Sequence, residues 1–579
     1  MSRLADLARR LRRSEKRPDP AGASASTPPP PLDPVEAVRA WHDRTKHHPG
    51  RYAASAGYLD WESQPEPFRR FVGAPLVPLD LEGPPGPSYE EAWLEGRVPP
   101  RALDRASLSQ LLRDALGLSA WKQAGDTRWP LRVDPSSGNL HPTEGYLLAP
   151  AVEGLCPVPA VWHYQPFLHA LEQRRTLTEA EWAALSAGLP GGSVLVGLSS
   201  IAWREAWKYG ERSGRYCQHD LGHVIGTVAV AAAALGWRVR LVGAATDEEL
   251  DRLLGLPAGD PAEEERADAL LVVGPQVEAG WRPGPIPAGA WVGTPNRLST
   301  EHHPWPVLEL LDRVTRKEVA GPAPERVEVD SGLVVGDSPV RLREIVHMRR
   351  SAVDMDGRTG ISRAAFVQVL RKLLPGRAQV PWTALPWAPR VHPVFFVHRV
   401  QDVAPGLYML VRDPAALPRL RGWMDPAFDW EQTAELPELP GLPELPLYRL
   451  RAGDMRAVAQ SLSCGQGIAS DGVFAVAMLG ELRGTLEQWG AWAWKRLHWE
   501  AGLLGQVLYL EAEATGIRGT GIGCFFDDPT HHLLLRAEAW REDRLVDLYH
   551  FTVGGPVEDG RLQTLPAYAH RDEALAQEG

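Results

Sequence analysis

The densest set of reactive groups in the chain is one short segment, Arg132-Val133-Asp134-Pro135-Ser136-Ser137-Gly138-Asn139-Leu140-His141-Pro142. Pro135 and Gly138 shape a turn, and Ser136, Ser137 and Asn139 supply donors and acceptors of the kind that hold a planar heterocycle. A polar turn before a strand would use the same residues, so the loop alone leaves both readings open. Further on, Lys208-Tyr209-Gly210-Glu211-Arg212 sets an amine beside a phenol. A lysine acts as a base only when its pKa falls from about 10.4 toward neutrality, which burial beside Arg212 would promote. Met348-Arg349-Arg350-Ser351-Ala352 offers two guanidinium forks and a hydroxyl, the donors a dianionic phosphate requires. The run Gly519-Thr520-Gly521-Ile522-Gly523-Cys524-Phe525-Phe526-Asp527-Asp528 has the glycines of a dinucleotide turn. It follows a helix pattern, however, and lacks the succeeding helix and distal acid of such a turn, which excludes that reading.

Other residues have plainer explanations. The pairs His47-His48, His302-His303 and His531-His532 are sequence neighbours, whose side chains do not converge on one ion, so they are read as surface or packing residues and no metal is expected. His223 is read at a helix start, as a structural histidine rather than a base. Most of the 22 tryptophans are assigned to core, with some available to line a pocket. Cys156, Cys217, Cys464 and Cys524 are widely spaced without a CxxC pair, which speaks against a structural zinc or a disulfide framework and for a reducing cytoplasm. With 62 basic and 73 acidic residues the chain carries a net charge of −11, the wrong sign for nucleic acid as the main partner. No apolar run reaches the roughly 18–20 residues of a membrane span. A length of 579 residues leaves room for several cores.

The elements that must position these groups come in two sets. Shifting the chain by 280 positions brings Gly210 onto Gly490, Gly222 onto Gly502, Gly236 onto Gly516, Arg238 onto Arg518, Gly243 onto Gly523 and Asp247 onto Asp527. So many matches at one offset point to a duplicated domain, since the period is far longer than a solenoid repeat. Each half is read as a helix (Leu103–Leu116; Ser362–Leu374), a strand (Gly145–Ala149; Pro393–His398), a second strand (Val194–Leu198; Val473–Leu479), a long helix and a last strand (Ala269–Gly274; Tyr549–Gly554). The long helices contain Gly222, Gly226, Gly502 and Gly505, each about 1 kcal/mol worse than Ala unless something approaches closely there. Without regular βαβ spacing, the expected class is α+β. The domain boundaries read as a basic tail and proline-rich linker over 1–34, domain 1 over 35–280, a Pro/Gly-rich connection over 281–339 containing a helix at Trp305–Arg316, and domain 2 over 340–579.

In order and spacing, the loop at Pro135–Pro142, the segment Lys208–Arg212 and the run Asp220-Leu221-Gly222-His223 resemble the SagB-like (ThcOx-type) azoline dehydrogenases, a branch of the FMN-dependent nitroreductase family. Arg349-Arg350-Ser351 is similar to that family's phosphate-contacting opening, and Gly521-Ile522-Gly523 to its stretch beside the flavin ring. The resemblance covers roughly residues 100–275 and 340–557. It implies two tandem nitroreductase-like α/β sandwich domains forming a covalent pseudo-dimer, sufficient as a monomer. It implies FMN as cofactor, held by Arg349, Arg350, Ser351, Pro135, Ser136, Ser137, Asn139, Gly521, Ile522 and Gly523, with Lys208 and Tyr209 catalytic. It further implies oxidation of an azoline or similar small or peptide-borne substrate in natural-product biosynthesis, with biosynthetic partner proteins. Two alternatives stay open: an NAD(P)H-dependent nitro or quinone reductase, and a flavin-binding pseudoenzyme scaffold. The first half has no Arg-Arg-Ser, its nearest analogue being Arg44-Thr45-Lys46. The second half has Leu385-Pro386-Trp387-Ala388-Pro389-Arg390 in place of the serine loop and Gln488-Trp489-Gly490 in place of Lys-Tyr-Gly. One composite flavin site, built from both halves, is therefore expected.

Overall fold

A computed structural model describes residues 33–256, 261–285, 288–320, 326–336, 338–433 and 442–578. The basic tail and most of the proline-rich linker therefore lie outside the described residues. Asp33 caps a helix that begins at Pro34, its carboxylate accepting from the Val35 and Glu36 amides.

Two seven-stranded sheets are built alike. Across the first, the order is Leu76–Pro78, Ala170–Thr176, Ala160–Gln165, Thr143–Ala149, Val194–Ile201, Glu265–Gly274 and Arg238–Leu241. Across the second it is Glu431–Gln432, Leu447–Ala452, Gly406–Leu410, Val391–Val397, Phe474–Gly480, Val546–Gly554 and Arg518–Ile522. Every pairing in both is antiparallel, as the α+β reading requires. The 280-residue offset carries Val194 onto Phe474 and Arg238 onto Arg518, the first residues of equivalent strands. The expected strands are found with their bounds extended or, for Val391–Val397 and Phe474–Gly480, shifted by a residue or two, but the hairpin Ala160–Gln165/Ala170–Thr176 was missed. Polar residues hide it: His163 is fully buried, with one ring nitrogen 2.8 Å from Glu172 and the other 3.1 Å from Glu144.

The long helices run from Ser213 to Ala234 and from Ala493 to Ala514. The first is buried along its whole length, so it needs no polar face. It starts well before the expected point, which places His223 in mid-helix rather than at the start. Each long helix follows a short one, Ala202–Tyr209 or Leu482–Trp489, closed by a glycine with positive φ (Gly210 at 54°, Gly490 at 84°). The long helices meet at glycines: a Cβ on Gly222 would lie 2.3 Å from the Trp499 carbonyl oxygen, and one on Gly502 would lie 2.1 Å from that of His219. That contact is the close approach that offsets the helix penalty of glycine. Around it, one continuous apolar core joins Val196 and Leu271 of the first sheet to Phe395 and Val476 of the second through both helices.

The ends of the chain cross between the halves. Arg39 pairs with Asp543 at 2.9 Å and Lys46 with Asp528 at 3.1 Å, so the first described helix is tied to the second half. In return, Gln563–Leu565 adds a strand to the hairpin Leu118–Ala124/Thr127–Arg132, and Arg571 donates to the Leu168 and Leu79 carbonyls. The helix expected at Trp305–Arg316 spans Pro306–Val314.

Candidate functional site

A cavity of about 570 Å³ opens where the loop after the first-half hairpin meets the second half, a volume typical of small-molecule sites. Pro135, Ser136, Ser137 and Asn139 line one side; Arg349, Arg350, Ser351, Gly521, Ile522 and Gly523 line the other. The ten residues expected to hold a cofactor therefore share one cavity, though they come from three segments at least 170 residues apart in sequence.

The loop is held by its own polar groups. Ser137 donates to Asp220 through its amide (3.0 Å) and its hydroxyl (2.9 Å). Ser136 Oγ accepts from the His141 amide at 2.8 Å, and Asn139 Nδ2 donates to the Pro130 carbonyl at 2.9 Å. These side chains build the wall as much as they offer donors to a ligand. Gly138, at φ 60°, permits the Tyr209 hydroxyl to come within 2.6 Å of where a Cβ would stand. On the opposite wall, a Cβ on Gly521 would lie 1.8 Å from the Tyr549 hydroxyl, and one on Gly523 2.4 Å from the Tyr216 ring. Only glycine fits at either position.

Cations gather at one end of the cavity. Buried Arg349 donates to the Val133 and Arg132 carbonyls at 3.0 and 3.1 Å and lies 5.0 Å from the Tyr509 ring centre. Arg350 donates to the His347 carbonyl at 2.9 Å. Ser351 Oγ is 2.9 Å from the Tyr509 hydroxyl, which accepts from the Gly521 amide at 3.0 Å. Lys122 and Arg518 line the same cavity. Burial, reinforced by Arg349 and Arg518, brings the Arg350 pKa down to about 10, and burial with Arg350 lowers that of Lys122. Arg518 is also paired with Glu558 at 2.7 Å, and the crowding of Lys122, Arg349 and Arg350 beside it fits an anionic group such as a phosphate.

The two residues expected to be catalytic differ in placement. Tyr209 lines the cavity, and burial raises its phenol well above the usual range. Lys208 is not among the lining residues; its Nζ sits 5.3 Å from the Tyr209 ring centre, near Gly138. Arg212, expected to act on Lys208, is instead engaged with Asp527 at 3.1 Å and with the Thr45 and Gly523 carbonyls. His223 is held neutral, its pKa pushed down to about 3 by burial and then Arg349, with Nε2 3.2 Å from the Tyr549 hydroxyl.

Sequence reasoning assigned no role to the carboxyl groups behind the loop. Burial raises the Asp220 pKa to about 7 against the opposing hydrogen bonds from Ser136 and Ser137, and it raises that of Asp134 to about 6. Glu205 is fully buried, with neither carboxyl oxygen partnered among the described residues, and burial followed by Asp220 pushes its pKa far up. Asp220 stood in a recognised motif, which was a signal; Lys122, Arg518 and Glu205 left none.

At the 280-offset counterpart the arrangement differs. The buried pair Arg215–Asp527 (2.7 Å) has its equivalent in Lys495–Asp247 (3.4 Å). The space beside Gly243, the equivalent of Gly523, is only about 20 Å³ and is lined by Trp387, Trp492 and Trp499. That volume admits little more than one water.

Comparison with known proteins bears on the fold. Residues 99–274 match the family model of the nitroreductase family. A crystal structure of a candidate nitroreductase from Anabaena variabilis shares 21% identity and a TM-score of 0.65, with 90% of this chain and 99% of that chain covered. At that identity the likeness extends to the fold. A candidate nitroreductase from Ralstonia eutropha (16% identity, TM-score 0.27, 39% and 97% covered) matches more locally. So does an E. coli microcin synthetase McbBCD complex with truncated pro-MccB17 bound (19%, TM-score 0.27, 42% and 93%). No curated protein matches the chain. None of the helices among the described residues is long and apolar enough to cross a membrane.

Proposed function

We propose that the chain is an FMN-dependent oxidoreductase made of two nitroreductase-like units, 35–280 and 340–579 joined by 281–339, acting as a covalent pseudo-dimer with one flavin site. The carrying observation is the cavity that unites the Ser136–Ser137 loop, the cations Lys122, Arg349, Arg350 and Arg518, and the Gly521 and Gly523 wall. The cation cluster suits the FMN phosphate, and the two glycines let Tyr549 and Tyr216 pack against the opposite wall. When bound, FMN supplies two-electron redox chemistry, and the protein supplies binding, orientation and electrostatics. Asp220, poised to titrate near neutrality, holds or returns a proton at its carboxyl beside the loop. Tyr209 presents a protonated phenol to the cavity and orients a substrate by donating from its hydroxyl. The tryptophan-filled counterpart supports one site rather than two.

Within this reading, the preferred reaction is dehydrogenation of an azoline or similar small or peptide-borne substrate, on the strength of the Lys208-Tyr209 motif. The test is to saturate the purified chain with FMN, remove the excess, denature and chromatograph the released flavin. About one FMN per chain is expected, and Arg349→Ala should empty the site. FAD as the sole flavin, or two FMN per chain, overturns the composite site. A colourless protein indifferent to added FMN returns the chain to the scaffold reading.

A further inference from the structure

Two cysteines far apart in sequence meet at the edge of the cavity. Cys524 follows the strand Arg518–Ile522 and lines the cavity wall; Cys464 follows the helix Arg456–Leu462. Their sulfur atoms are 2.7 Å apart, and neither side chain is fully buried. The two loops are clamped together by Gln466, whose Nε2 donates to the Ser463 carbonyl at 2.9 Å and the Cys524 carbonyl at 3.0 Å. Cys464 itself sits at φ 54°, a backbone region side chains seldom adopt, held by this packing. The remaining cysteines, Cys156 and Cys217, are buried.

We infer that Cys524 and Cys464 form a redox-active dithiol that reacts with low-molecular-weight disulfides, Cys524 as attacking thiolate and Cys464 as resolving thiol. The asymmetry between them has a physical source. The Cys464 thiol hydrogen-bonds to Cys524 and the Arg212 guanidinium adds positive potential, so the Cys524 pKa falls, while burial and Cys524 raise that of Cys464. Arg212 is fixed over the adjacent Phe525, 4.7 Å from its ring centre, and donates to the Gly523 carbonyl. A low-pKa, accessible thiolate beside a second thiol is the arrangement that reacts with disulfides.

The exchange balances without a further reactant. The Cys524 thiolate attacks one sulfur of R–S–S–R; a Cys524–S–R bond forms and one RS⁻ leaves. Cys464 gives up its proton and its sulfur attacks Cys524 Sγ, forming Cys464–Cys524 and releasing the second RS⁻. The protein loses two electrons and two protons, which the reactant gains as two RSH. The sulfurs then need only close to the disulfide length of about 2.05 Å. The inference stands apart from the flavin reading, because neither step uses a cofactor.

Purified full-length chain is incubated with oxidised glutathione and read by intact mass and peptide mapping. The expected wild-type product has lost two thiols and two hydrogens, carries no adduct and joins the peptides of Cys464 and Cys524. Cys464→Ser should stop at one glutathione on Cys524, whereas Cys524→Ser should leave Cys464 unmodified. Stable glutathione adducts on the wild type without the cross-link, equal reaction of both single variants, or reaction at Cys156 or Cys217 ahead of this pair would overturn the inference. Should the variants fail to fold, limited alkylation of the wild type decides the order: Cys524 must be labelled first, and label on Cys464 first refutes the assignment.

Discussion

Replacing Asp220 by Asn removes a charge whose burial the fold resists. The folded pKa of about 7 lies roughly three units above the ordinary 3.8. At 1.36 kcal/mol per unit, the ionised carboxylate carries a penalty on the order of 4 kcal/mol in the native state. The native state therefore binds more protons than the unfolded chain between these two values. The associated stability is complete below the unfolded pKa and is lost as pH rises through about 7. Asn keeps the shape and never ionises, but it accepts fewer bonds from the Ser137 amide and hydroxyl, a pH-independent loss of about 1 kcal/mol. The variant should be slightly less stable than wild type at the acid end, and should overtake it as pH rises, leading by a few kcal/mol on the alkaline side. Denaturant midpoints of both proteins, measured side by side across this range, give the difference directly. A difference that stays flat, or a variant that falls further behind as pH rises, would refute the reasoning. It would mean that the Ser136 and Ser137 hydrogen bonds outweigh desolvation.

Asp527→Asn should act in the opposite sense. It leaves Arg212 and Arg215 buried without their counter-charge, for a loss of about 3–5 kcal/mol at neutral pH. Because these arginines hold the Asp527 pKa far below 3.8 despite burial, the loss should shrink only as strong acid protonates the wild-type group; an unchanged neutral melting temperature would count against the pair. Glycine substitutions separate packing from propensity. Gly222→Ala drives a Cβ into the Trp499 backbone and should lower the denaturant midpoint sharply, whereas Gly484→Ala, with open space around it in a helix, should raise stability by about 0.5–1 kcal/mol. Equal effects at both sites would remove the helix–helix contact as the reason for Gly222.

Much of this protein is local and was legible in the residues. The two long helices and the strand at Val194 follow from short-range preferences. The 280-residue offset pairs positions that fall on equivalent strands. The expected cofactor residues were also readable as motifs, and the fold brings them to one cavity. What the sequence left open depends on distance in space. The hairpin Ala160–Thr176 escaped notice because polar residues interrupt its apolar pattern, and His163 is acceptable there only once Glu144 and Glu172 surround it. Lys122 and Arg518 look like scattered surface charges until the hairpin and the second sheet set them in the same cavity. Asp220 acquires a near-neutral pKa only by burial, which no neighbour in sequence reports. Cys464 and Cys524 appear unrelated across sixty residues, yet Gln466 clamps their loops together. Short-range geometry belongs to the chain itself, whereas desolvation, charge crowding and thiol proximity exist only between segments that folding has brought together.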